Sequence, residues 1–209
     1  REEAETSIEF CKQTVAEVAE KLILNPQEEL ALEKLKTKKI AFFGDSITSD
    51  RMSYREIIAC RLGGCCADCA ISGGTSTTLI YGFLDALIEH QPDFVHIMIG
   101  TNDSTMLGSR REVNFVSLSE YERNLRYMLQ NCKDKGIKVI ISTIPPVEEE
   151  IFHQMFGGYK NQENGNIKKY NEVIKQLCAE YGARLNDMEE RYAAQDPRIL
   201  HEPDGVHLS

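Results

Sequence analysis

Near the start of the chain a serine follows a glycine and an aspartate, Gly44-Asp45-Ser46. Near its end, Asp204-Gly205-Val206-His207 sets a carboxylate three residues before an imidazole. These are the parts acyl transfer requires: a hydroxyl nucleophile (Ser46), a base to take its proton (His207) and a carboxylate to orient that base (Asp204), the last two close enough to come from one turn. Two further stretches supply hydrogen-bond donors, Ile71-Ser72-Gly73-Gly74-Thr75-Ser76 and Gly100-Thr101-Asn102-Asp103. The backbone N–H groups of Ser46 and Gly73, with the side-chain amide of Asn102, could receive a developing oxyanion. Singly, each stretch has a plainer reading. Asp45 or Ser46 would cap a helix, and Asn102 would form a turn through its own side chain.

The four stretches gain meaning from the elements that must hold them. Ile40-Ala41-Phe42-Phe43, preceded by Lys36, Lys38 and Lys39, reads as a buried strand, and Gly44 lets the backbone turn sharply at its end. A serine on such a turn stands above the carboxyl edge of a sheet, where open α/β folds bind ligands. Further strands are expected at 67–71, 94–99, 137–142 and 183–186. Helices are expected at 51–62, 77–90, 117–135 and 163–181, several of them closed by glycine. This alternation implies a five-stranded parallel sheet with helices on both faces. The first three blocks then follow the first three strands, and the fourth lies past the last. Two long connections, 103–116 and 144–162, leave the same edge, and the second could act as a lid.

Residues 1–38 read as a helical extension ahead of a domain at 39–209. Ile8, Cys11, Val15, Val18 and Leu22 form one apolar stripe, and Asn25-Pro26-Gln27-Glu28 starts a second helix with a cap, a proline and a capping-box glutamate. The extension would pack on the domain or on a second copy of the chain, which makes a homo-oligomer one expectation. The net charge of −9, from 24 basic and 33 acidic residues, argues against a nucleic-acid partner. No apolar run reaches membrane-spanning length. A cytoplasmic location is expected, with secretion left open because the sequence starts at Arg1. Seven cysteines, an odd number, argue against a disulfide framework. Cys66 and Cys69 have no second pair for zinc, and small buried thiols are the preferred reading.

In their order and residue types the four blocks resemble those of the GDSL-type serine esterases, the SGNH hydrolases. The family's serine matches Ser46, its glycine Gly73, its asparagine Asn102, and its DxxH pair Asp204 and His207. The resemblance implies a flavodoxin-like three-layer α/β/α fold and hydrolysis of a small or medium carboxylic ester without metal or cofactor, with carbohydrate O-deacetylation as one substrate class. Isoleucine stands at 47 where the family name has leucine. Relatives usually continue past the DxxH, so the natural protein is expected to extend beyond Ser209, or His207 to be pinned by Val206 and Leu208. A thioesterase or lysophospholipase would instead need a long apolar groove, drawn from Met106, Leu107, Phe115, Phe152, Met155 and Phe156. A binding module that lost turnover would lack a catalytic residue, and none is missing. His96, within an apolar strand, reads as a satisfied core histidine. His201, Glu202, Asp204 and His207 lack the H-E-x-x-H register of a metal motif. Asn102-Asp103-Ser104 matches a glycosylation acceptor that an oxyanion role would preclude. Asp45 is expected to hold backbone amides of its turn.

Overall fold

The computed structural model describes residues 2–64, 66–108, 110–157, 159–193 and 202–207. Two helices, α1 (Glu2–Lys21) and α2 (Pro26–Leu35), precede β1 (Ile40–Gly44), a single turn α3 (Ser46–Ser49), α4 (Tyr54–Leu62) and β2 (Cys66–Asp68). Then come α5 (Ser76–His90), β3 (Phe94–Met98), the two-residue strands β4 (Met106–Leu107) and β5 (Val113–Asn114), and α6 (Leu118–Asp134). The chain continues through β6 (Lys138–Ser142), α7 (Glu149–Phe156), β7 (Lys160–Asn161), α8 (Asn164–Tyr181), β8 (Arg184–Asn186) and α9 (Met188–Ala193).

The main sheet is parallel, in the order β2-β1-β3-β6-β8. Counting its five strands along the chain, this is the 2-1-3-4-5 order of flavodoxin-like folds, whose ligand crevice lies at the carboxyl ends of the strands beside the switch point between the first and third. Both faces are covered, so β1 is buried throughout. Ala41, Phe43, Val95, Ile97 and Ile141 face α5, α6 and α8, in a core that includes Phe83, Leu125, Met128 and Ile174. Ile40 and Phe42, on the other face, pack with Leu62, Leu32 and Leu35. Pairing continues past the end of β2, because the Cys69 and Ile71 amides donate to the carbonyls of Phe42 and Gly44 (2.9 Å each). The second block is thereby drawn alongside the first.

The N-terminal helices lie on the domain. Val15 and Ala19 are buried, and Arg61 of α4 donates to the Ala19 carbonyl (3.1 Å) and pairs with Glu29 of α2 (2.9 Å). The contact stripe of α1 runs through Cys11, Val15 and Ala19, while Ile8, Val18 and Leu22 are exposed. The expected stripe was thus right at its centre and rotated at its flanks. Helix α2 begins as the sequence dictates: Asn25 accepts from the Gln27 and Glu28 amides, and Glu28 accepts from the Asn25 amide. Cys66 and Cys69, expected as small buried thiols, are only half-buried; Cys132 and Cys178 are buried, and Cys60 is exposed on α4. No helix among the described residues is long and apolar enough to cross a membrane.

Both long connections are structured. Strands β4, β5 and β7 form a second, antiparallel sheet that joins 103–116 to 144–162. Helix α7 is anchored by Asn164, whose side chain accepts from the Val147 amide (2.8 Å) and donates to the Val147 carbonyl (2.9 Å). The segment expected to act as a lid is thus tied at both ends and forms a wall of the site in this structure.

Candidate active site

The Ser46 turn is dictated by close approach. A Cβ on Gly44 would lie 2.6 Å from the Met98 carbonyl oxygen and 2.1 Å from Thr48 Oγ1, so any other residue would push α3 off the sheet. Asp45 caps α3 by accepting from the Ile47 amide (3.1 Å), as its sequence position suggests. Ser46 is the first residue of that turn, so its own N–H has no partner within the helix and stays available to a ligand.

Asp204 builds the second half of the site locally. Its Oδ1 accepts from the Val206 and His207 amides (2.9 and 3.0 Å), and its Oδ2 is hydrogen-bonded to His207 Nδ1. The other ring nitrogen, Nε2, lies 2.8 Å from Ser46 Oγ, across 161 positions of sequence. The structure thus brings Ser46, His207 and Asp204 into one hydrogen-bonded line. Partial burial works against the Asp204 charge, but the bonds from the His207 side chain and the two amides outweigh it and hold the carboxyl below its ordinary range. The segment is pinned to the wall: the Glu148 amide donates to the Gly205 carbonyl (2.8 Å), and Val206 packs on the core. Leu208, the other expected pin, lies outside the described residues, as does His201.

Asn102 is tied to the residue that follows Gly73. Asn102 Nδ2 donates to the Gly74 carbonyl (2.9 Å), tying the second block to the third and engaging one of its two amide hydrogens. Gly73 occupies a left-handed conformation (φ 71°) that suits glycine. Gly100 is demanded twice over: its φ is 131°, and a Cβ would lie 2.5 Å from Ile144 Cδ1 and 2.8 Å from the Tyr121 hydroxyl.

Two features of the site were not foreseen. Asp103, fully buried, accepts from the Ser76 amide (3.0 and 3.1 Å) and from its hydroxyl, which clamps the start of α5 to the Asn102 turn. Burial pushes the Asp103 carboxyl up to about 6, against the pull of the Ser76 bonds. Gln162, also buried, donates to the Thr101 carbonyl (3.0 Å) and to Ser104 Oγ (2.8 Å) and accepts from Thr105 (2.7 Å). The only sequence hint was the aspartate following Asn102; Gln162 sat in a connection with no pattern to read.

Between these elements lies a cavity of about 170 Å³, with Ser46, Asn102 and His207 on its wall and Thr101, Thr105, Phe152, Phe156, Lys160 and Val206 around them. Oxygen and nitrogen atoms of Glu202, Asp204 and His207 lie within 4.8 Å of one another. Both Asp204 oxygens and both His207 nitrogens are already engaged in the bonds described above, so these donors serve the serine line. Beneath the site, Asp45 is 1 % exposed and its Oδ2 has no hydrogen-bond partner. Burial pushes its carboxyl up to about 7. The Ile47 amide pulls it down, the Asp103 charge pushes it further up, and Thr101 and His207 lower it slightly.

A family model described as the GDSL-like Lipase/Acylhydrolase family matches residues 42–209. A multidomain esterase of Ruminococcus flavefaciens is 29 % identical over 103 residues, covering 48 % of this chain and 11 % of that protein. The chain spans less than half the length of each of the curated relatives compared. Among solved structures, a lipase/acylhydrolase from Enterococcus faecalis has a TM-score of 0.67 at 21 % identity, over 82 % of this chain and 87 % of its own. A catalytic mutant of an acetylxylan esterase from Geobacillus stearothermophilus has a TM-score of 0.61 at 24 % identity, over 82 % and 87 %. At these identities the structural likeness is one of fold.

Proposed function

Because the chain belongs to the GDSL-like lipase/acylhydrolase family, we propose that it is a serine esterase acting on carboxylic esters with a short acyl group. The observation that carries this reading is the line Ser46 Oγ–His207 Nε2 (2.8 Å) with Asp204 on the opposite ring nitrogen. His207 takes the proton as Ser46 Oγ attacks the ester carbonyl, and Asp204 stabilises the imidazolium that forms. The oxyanion is received by the amides of Ser46 and Gly73 and by the remaining Asn102 amide hydrogen. His207 then gives its proton to the departing alcohol, and a water activated by the same nitrogen hydrolyses the acyl-enzyme.

The cavity favours a short acyl group. At about 170 Å³ it is a small cavity, which suits an acetyl or slightly larger group better than a long chain. Of the six residues that a long groove would need, Phe152 and Phe156 line the cavity. Leu107 and Met155 are exposed, as is Phe115, and Met106 is buried in the small sheet, which weakens the lysophospholipase and thioesterase readings. The fold likeness to an acetylxylan esterase agrees with an acetylated carbohydrate as substrate. The test is a series of p-nitrophenyl esters from acetate to laurate. We expect kcat/KM to fall beyond butyrate and Ser46→Ala to abolish turnover. A maximum at octanoate or longer would overturn the short-acyl assignment, and full activity in Ser46→Ala would overturn the nucleophile.

A further inference from the structure

The histidine within β3 is not an isolated core residue. His96 Nε2 lies 2.9 Å from Ser142 Oγ on β6, and His96 Nδ1 lies 3.2 Å from the Tyr54 hydroxyl on α4. The chain of contacts continues at both ends. Asn186 of β8 donates to Ser142 Oγ (2.9 Å), and the Tyr54 hydroxyl lies 2.9 Å from Thr48 Oγ1. Side chains from three adjacent strands and from α4 and α3 thus form a line. It ends two residues from Ser46.

Donor accounting allows that line a direction. The Asn186 amide nitrogen can only donate, so Ser142 accepts there, and one arrangement of the line has Ser142 give its hydrogen to His96 Nε2. His96 is neutral at ordinary pH, since burial pushes it down to about 4. In that arrangement its single ring proton sits on Nδ1 and is donated to the Tyr54 oxygen, and Tyr54 donates to Thr48.

The far end of the line is where the nucleophile needs support. A single turn such as α3 cannot hold itself in place, because an isolated helix this short does not form. Its orientation comes from tertiary anchors, and Thr48, fully buried, is where they converge. The Thr48 carbonyl accepts from Ser53 Oγ (3.0 Å) and Arg55 Nε (3.1 Å), its side chain meets Tyr54, and it rests over Gly44.

We propose that Tyr54 and His96 are positioning residues for Ser46, acting through Thr48 along the line Asn186–Ser142–His96–Tyr54–Thr48. The proposal rests on the esterase reading for its consequence in turnover, but its geometric content stands apart from that reading. Thr48→Val and Tyr54→Phe each remove one hydroxyl while keeping shape. In folded protein, each is expected to lower kcat for p-nitrophenyl acetate by about ten- to a hundredfold, the scale of a small misplacement of a reacting group, with KM within about twofold. The double variant should be no worse than the poorer single one, because both break the same line. Thr48→Ser, which restores the hydroxyl, should recover most of the rate. A crystal structure of Tyr54→Phe should show Ser46 Oγ displaced from His207 Nε2 or spread over rotamers. Additive losses, or kcat within twofold of wild type in both single variants, would overturn the proposal. If the wild-type chain hydrolysed no ester, the esterase reading would fall and the crystal structure would still decide: an undisturbed Ser46–His207 contact in Tyr54→Phe would overturn the positioning role. Should Tyr54→Phe fail to fold, the Thr48 pair carries the same comparison, in kinetics and in structure.

Discussion

At the scale of single residues, Asn102 is the most exacting case, because its amide serves two ends. One hydrogen goes to the Gly74 carbonyl at 2.9 Å, and the other is free to meet an oxyanion. Loss of an oxyanion donor elsewhere costs about 10²–10³ in kcat, and the Ser46 and Gly73 amides would remain, so Asn102→Ala should fall by about 10² with little change in KM. Asn102→Asp should do at least as badly, since a carboxylate cannot donate to Gly74 and would repel the developing charge. Both are read from kcat and KM corrected for folded fraction by thermal melts. A folded Asn102→Ala enzyme within about twofold of wild type, roughly 0.4 kcal/mol of barrier, would return Asn102 to a purely structural role. The partners of Ser46, His207 and Asp204 were legible because their chemistry restricts which residue types can serve. Asp103 and Gln162 were not, because a buried carboxylate or amide that braces a turn has no spacing of its own and is defined only by what folds over it.

At the scale of elements, the strands and long helices between 40 and 186 could be read because the strands are short apolar runs and the long helices carry one apolar stripe at helical spacing. The two-residue strands β4, β5 and β7 offer no period at all, and the one-turn α3 lies in the stretch read as a turn between the first strand and the helix expected at 51–62. Yet these unread pieces build the wall of the cavity and carry Ser46, the proposed nucleophile. The junction between α7 and the His207 segment can be tested with a pair of glycines. Gly63 and Gly205 have matching left-handed conformations (φ 74° and 72°), but a Cβ on Gly63 meets nothing within 4 Å, whereas one on Gly205 would lie 3.0 Å from the Glu148 carbonyl oxygen and 3.1 Å from Ile151 Cβ. Alanine at either site should lower stability by about 1–2 kcal/mol through backbone strain alone. Only Gly205→Ala should also lower kcat, by pushing α7 and His207 apart. Urea unfolding and initial rates check both, and equal kcat in the two variants would mean that the junction does not set the position of His207.

At the scale of the whole molecule, the buried ionisable groups set how stability varies with pH, and they pull in opposite directions. Asp45 is raised from an ordinary 3.8 to about 7 and Asp103 to about 6, in both cases chiefly by burial. The folded state therefore binds protons that the unfolded state has released, so each contributes stability that is present below about 3.8 and lost as pH rises through its folded value. His96 runs the other way. Burial lowers it from 6.5 to about 4, so the unfolded chain takes up a proton that the folded chain refuses, and its contribution is present above 6.5 and lost as pH falls. Between about pH 4 and 6 one aspartate and the histidine nearly cancel, which leaves a net decline equivalent to one carboxyl. Asp45→Asn isolates that term. The asparagine oxygen can still accept from the Ile47 amide, so the cap survives, while the buried charge is removed and an amide NH2 takes the place of the unpartnered oxygen. The stability difference between Asp45→Asn and wild type should then grow in favour of the variant from about pH 4 to 7, by at most about 1.4 kcal/mol per pH unit, and level off above about pH 8. Urea unfolding of both proteins at unit steps from pH 4 to 8 measures it. Parallel curves across that range would mean that Asp45 is solvated when ionised, and that the turn carrying Ser46 stands over water rather than over a closed floor.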